Sequence, residues 1–135
     1  MKAIIFGSIG TLVETSDIQR QSFNHAFKEI GLDWYWDKNN YKNLLKKSGG
    51  RNRVEYFANI NQNTVDSKKI RELKTQYFNR YLNSNYINPR EGVLDVIKYA
   101  KLNNIKIGLA STTTIENIDA IFTTLKDQII KTDFN

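Results

Sequence analysis

Two short apolar runs set the terms of the fold: KAIIF at residues 2–6 and IKIGLA at residues 105–110, near opposite ends of the chain. A continuous apolar run of this length, closed by a glycine-containing turn, is the pattern of a strand buried in a parallel sheet. The first run is closed by Gly7-Ser8-Ile9-Gly10, the second by Ser111 and the threonines Thr112, Thr113 and Thr114. Between them the period is helical. Phe23, Ala26, Phe27 and Ile30 fall at i, i+3, i+4 and i+7, and Gly31 is the stop. Asp37 is a natural N-cap for a second helix through Leu44 and Leu45, which Ser48-Gly49-Gly50 breaks. A third helix carries Val54, Phe57 and Ala58; a fourth, opening near Asp66, is expected to set Ile70, Leu73, Tyr77 and Tyr81 on one side. Four helices of this size predict a small antiparallel bundle.

After residues 83–90, which hold the single proline Pro89, a fifth helix presents Val93, Val96, Ile97 and Ala100 and ends at Asn103-Asn104. Thr114 can cap a sixth helix carrying Ile118, Ile121, Phe122 and Leu125. The expected fold class is therefore α/β: an incomplete Rossmann-like parallel core of two strands with an inserted four-helix cap. The expected boundaries are 1–14 with 88–135 for the core and 15–87 for the cap. Ligands of open α/β sheets bind beyond the carboxyl ends of the strands, so the two loops are where chemistry is expected. The insertion leaves directly after the first loop, which predicts a lid.

The absence of cysteine excludes disulfides and thiolate metal sites, and the single histidine, His25, excludes the usual zinc constellations. His25 is expected to be an exposed helix residue. The sequence from Met1 onward shows no signal-peptide core, and no stretch approaches the ~20 apolar residues of a membrane span, so a cytoplasmic protein is expected. Net charge is +6, from 20 basic and 14 acidic residues. The lysines are scattered, which reads as a solvated surface, and nucleic acid is not an expected partner. Trp34, Tyr35 and Trp36 read as core packing at a helix junction in preference to a base-stacking platform.

Particular motifs carry a family resemblance. FGSIGTLVET at residues 6–15 is similar to the first motif of the haloacid-dehalogenase superfamily, Asp-x-Asp-Gly-Thr-Leu, and LAST at residues 109–112 resembles its second. ETSDIQRQSFNHAF, GLDWYWD, SGGRNRVEYF, REGV and LASTTT resemble, in order, the Rubisco-associated sugar-bisphosphate phosphatases. The resemblance implies a Rossmann-like core with a helical cap and magnesium-dependent hydrolysis through a phospho-aspartate. It also implies substrate or phosphate contacts at Thr11, Glu14, Arg20, Arg51, Arg53, Ser111 and Thr112.

The departures bear on the chemistry. Gly7 and Ile9 stand where the two catalytic aspartates belong. Phosphoryl transfer of this kind needs a nucleophile, a proton donor for the leaving oxygen and a cation to balance charge. Hydrogen and hydrocarbon supply none of these. Arg51 replaces the family's usual lysine, Gln19 replaces a histidine, and the family's later lysine and acidic metal motif are not found before Asn135. The sequence thus predicts a truncated homologue with no catalytic residue, no metal ligand and no cofactor, which binds a phosphorylated sugar or a protein partner. A gene remnant without activity, and an active hydrolase completed by another chain or by replacement residues, stand as alternatives. Two parallel strands leave a sheet edge open, which predicts a homodimer or partner there.

Overall fold

The computed structural model describes residues 2–125 and 128–134. Its elements run β1 (Ala3–Phe6), α1 (Ser16–Glu29), α2 (Lys38–Leu44), α3 (Gly50–Ile60), α4 (Ser67–Ser84), α5 (Val93–Leu102), β2 (Lys106–Leu109) and α6 (Ile115–Leu125), with a 3-10 turn at Lys131–Asp133. This is the expected α/β arrangement, helices and two parallel strands included. The chain divides into two compact units, Met1–Ser16 with Leu82–Asn135, and Asp17–Tyr81.

In the first unit β1 and β2 pair in parallel, with Ala3 opposite Lys106 and Phe6 opposite Leu109. Phe6, Val93, Ile97, Ala100, Ile107, Ile121, Phe122 and Leu125 are buried. Phe134 adds its ring edge-on to Phe6 and Phe122, at centroid distances of 6.2 and 5.4 Å. The helical spacing of α5 put Val96 on the core side, but Val96 is exposed and the buried stripe is Val93, Ile97 and Ala100. Two positions separated by 3 and 4 residues compete for one face, and here the i+4 row wins. Among the described residues β1 has β2 as its one partner, and Ile5 is 70% exposed.

The second unit is organised by Trp36. Phe23, Ala26, Phe27, Tyr41, Leu44, Val54, Ile70 and Leu73 form one buried cluster with it. The segment before α2 is extended, so alternate side chains point opposite ways. Trp36 is fully buried, Trp34 partly buried on the same cluster, and Tyr35 between them exposed. Asn24 fastens the segment to α1: its side-chain amide donates to the Trp36 carbonyl at 2.9 Å and its oxygen accepts the Trp36 N–H at 2.8 Å. Asp37 then caps α2 by accepting the Asn40 N–H at 2.7 Å, as its position in the sequence suggests. His25 is exposed, as expected, and stacks on Tyr77.

Helix α4 departs from the expected stripe. Ile70 and Leu73 are buried, but the stripe continues through Lys74, Phe78 and Leu82, and Tyr81 is exposed. Tyr77 instead donates its hydroxyl to Glu29 at 2.5 Å. The core thus accepts a lysine in place of a tyrosine.

Because Trp36 fills the centre of its cluster, Trp36→Ala is expected to cost about 3–5 kcal/mol, whereas Tyr35→Ala next to it should cost under about 0.5 kcal/mol. Urea unfolding followed through Trp34 fluorescence measures both.

Candidate functional site

The parallel register carries on past the strand ends. Ala3–Lys106 and Phe6–Leu109 share one offset, and the same offset of 103 residues joins Ser8 to Ser111. The two hydroxyl oxygens lie 2.6 Å apart, with Ser8 buried and Ser111 exposed. The Ser8 carbonyl accepts the Leu12 and Val13 N–H groups, and Gly10, at φ +84°, turns the loop back so that its N–H reaches the Val13 carbonyl at 2.6 Å. An L side chain rarely adopts that φ, which accounts for glycine at this turn. Arg90 staples the loop from the far side of the unit's sequence. Its side chain donates to the Gly10 carbonyl and its N–H to the Leu12 carbonyl, both at 2.8 Å.

The hydroxyl run after β2 divides in two. Thr114 Oγ1 accepts the Asn117 N–H and Thr113 Oγ1 accepts the Asn117 side-chain amide, so both serve the start of α6. Ser111 and Thr112 remain exposed toward solvent, as does Thr11.

Glu14 is the carboxylate nearest in sequence to Gly7 and Ile9. A Cβ built on Gly7 would meet Thr11 Oγ1 at 3.0 Å, so even a small side chain there requires Thr11 to move. Glu14 is exposed and engaged locally: its Oε1 accepts the Ser16 N–H at 2.8 Å and its Oε2 lies 3.6 Å from Arg90 Nη1. Among the described residues no group of three or more His, Asp or Glu could hold a metal ion. The magnesium implied by the resemblance therefore does not fit the described residues.

The sequence-predicted arginines lie in the other unit and have unequal standing. Arg20 is buried and committed, donating to Asp17 at 3.0 Å and to the Trp36 carbonyl at 2.9 Å. These bonds tie α1 to the tryptophan segment, and the one to Asp17 holds that carboxyl below the usual range. Arg51 pairs with Glu55 on the surface at 2.7 Å, and Arg53 donates to the Lys47 carbonyl at 3.0 Å with its guanidinium over the Tyr41 ring. Such exposed pairs hold little energy, so a stronger acceptor can compete for either arginine.

Lys74 was not singled out by the sequence. Its ammonium is buried over the rings of Phe23 and Phe78, at 5.4 and 4.9 Å from their centroids. No carboxylate among the described residues lies within ion-pair distance of it. Burial, then the charges of Arg53 and Arg71, push its pKa down to about 7. Gly50, the first residue of α3, lies against the same Phe23 ring, and Gly49 offers that helix start no side-chain cap. One turn before Phe23, the buried Gln19 amide nitrogen has no partner. Buried polar atoms without a partner in this unit are of both kinds, the donors Gln19 Nε2 and Trp36 Nε1 and the acceptor Asn79 Oδ1.

Residues 4–132 match the profile of the haloacid dehalogenase-like hydrolases. The chain belongs to that family. It is 37% identical over 124 residues to protein CbbY of Rhodobacter capsulatus, covering 90% of this chain and 55% of that protein. CbbY of Cereibacter sphaeroides is 33% identical, with 90% and 54% covered. The chain spans about half the length of the curated relatives it matches. Among solved structures, CbbY from Rhodobacter sphaeroides in complex with xylulose-(1,5)-bisphosphate superposes with a TM-score of 0.89 at 30% identity, covering 99% of this chain and 61% of that one. β-Phosphoglucomutase from Clostridium difficile, at 20% identity and a TM-score of 0.75, shares the fold. Among the described residues no helix is long and apolar enough to cross a membrane.

Lys74 generates a pH dependence. Between about pH 7 and the ordinary lysine value of 10.5, the unfolded chain holds a proton that the folded chain lacks. Stability of this unit therefore rises with pH across that window, by an amount on the order of 5 kcal/mol in all, and the full cost of burying the ammonium is present below it. Lys74→Met should remove the slope and leave the variant more stable than wild type at pH 6. Urea midpoints read by tryptophan fluorescence from pH 6 to 10 check this, since both tryptophans lie in this unit.

Proposed function

We propose that this chain binds phosphate esters without hydrolysing them. The observation that carries the reading is the pairing of two losses with one retention. Gly7 and Ile9 remove the nucleophile and the acid/base, while Thr11, Ser111 and Thr112 keep their hydroxyls in the loops beyond the strand ends. A carboxylate pair repels a phosphate dianion unless a cation intervenes; a glycine and an isoleucine do not. The loop is therefore suited to an anion taken up without magnesium.

The other unit supports the same chemistry separately. Arg51 and Arg53 are exposed or half-buried with weak partners, and Lys74 is a buried cation whose desolvation an anion would offset. A net charge of +6 favours encounter with anions. The CbbY structure that this chain resembles is a complex with a sugar bisphosphate, so a phosphorylated sugar is the ligand class put forward here.

The purified chain, incubated with magnesium and a panel of sugar phosphates, is expected to release no inorganic phosphate above the blank. A sugar bisphosphate should raise its melting midpoint in EDTA, and Arg51→Ala with Arg53→Ala should reduce that rise. Turnover that Glu14→Gln abolishes would establish an active hydrolase instead; no rise with any phosphate ester would favour a remnant.

A second reading, partner binding at the sheet edge, draws on the exposure of Ile5 on a strand with one neighbour. Parallel strands are ordinarily covered, and an uncovered edge pairs readily. Sedimentation should then give a species larger than the 15.7 kDa monomer, and Ile5→Lys should return it to monomer.

A further inference from the structure

We propose that Ser8 is a positioning residue for anion binding: its buried hydroxyl donates to Ser111 Oγ and so turns the Ser111 proton outward onto a phosphoryl oxygen. The proposal rests on the phosphate-binding reading above and specifies how the first loop achieves it.

A serine hydroxyl has one proton to give and two lone pairs to receive. Ser111 Oγ already accepts the Thr113 N–H at 3.2 Å, and Ser8 Oγ lies 2.6 Å away, a well-formed O–H···O distance. Two arrangements satisfy the serine pair. If Ser8 donates, both lone pairs of Ser111 are occupied and its proton has no acceptor among the described residues. If Ser8 accepts, the Ser111 proton is spent inside the protein and a lone pair faces the solvent. The first arrangement suits an anion and the second repels one. A phosphate oxygen at Ser111 therefore selects the first, and the chain of hydroxyls strengthens each bond in turn.

Ser8 is 3% exposed, so it acts through Ser111 and does not touch the ligand. Its backbone is held by the Leu12 and Val13 N–H groups on its carbonyl, which keeps the hydroxyl in place. It stands between Gly7 and Ile9, the two positions emptied of carboxylates. Thr113 and Thr114 accept from Asn117 at the start of α6, so the hydroxyl that bonds Ser111 Oγ is that of Ser8.

The test is calorimetric titration of inorganic phosphate, in EDTA, into the full chain and into Ser8→Ala, Ser111→Ala and the double variant. Ser8→Ala should raise the Kd about five- to tenfold, the effect of one neutral hydrogen bond. Adding Ser8→Ala to Ser111→Ala should change nothing further, whereas a merely structural role would weaken binding in both backgrounds. Circular dichroism melts check folding, and Ser8→Cys, nearly isosteric with a weaker donor, serves if Ser8→Ala does not fold. Wild-type binding that Ser8→Ala leaves intact, or equal weakening in both backgrounds, overturns the proposal alone. Failure of the wild-type chain to bind phosphate overturns the phosphate-binding reading and the proposal with it.

Discussion

The in-register parallel pairing of β1 with β2 is the constraint from which the candidate site follows. Parallel strands finish at the same end of a sheet, so the loops that leave them meet there whatever their sequences. The pairing also fixes which residues meet. Ser8 and Ser111 inherit the offset of the ladder, and their hydroxyls approach to 2.6 Å without any motif that links them in sequence. Arg90 and the positive φ of Gly10 then fold the first loop onto itself and hold the serine backbone still.

What the family uses this place for depends on charge, and this chain has changed the charge. Two carboxylates make a site that needs a cation before it tolerates phosphate; Gly7 and Ile9 bring no charge to theirs. In the Asp17–Tyr81 unit Lys74 lies among aromatic rings, with no carboxylate among the described residues within ion-pair distance, and Gln19 leaves a buried donor unpaired. Buried donors without acceptors oppose folding.

Much of the fold was legible because its signals are local. Apolar runs closed by glycine and hydroxyl residues marked both strands, Asp37 announced α2, and the 3.6-residue period marked the remaining helices. The stripes were less secure. On α4 the sequence points to Tyr77 and Tyr81 beyond Leu73, and a lysine is a poor guess for a core position. The structure takes Lys74 because its stem lies against Phe23 and Phe78, a packing partner set that no local window contains. The resemblance implies a ligand contact at Arg20, and no local window shows that its guanidinium donates to the Trp36 carbonyl.

By itself the sequence determined the family, the two-strand α/β plan and the chemical emptiness of Gly7 and Ile9, since each rests on residue identity and short-range period. Tertiary structure alone decided that Ser8 meets Ser111, that Arg20 donates to the Trp36 carbonyl, and that the Lys74 amine is interior. Those are contacts between segments distant in sequence, and their geometry is set by strand register and core packing, which no single stretch of residues encodes.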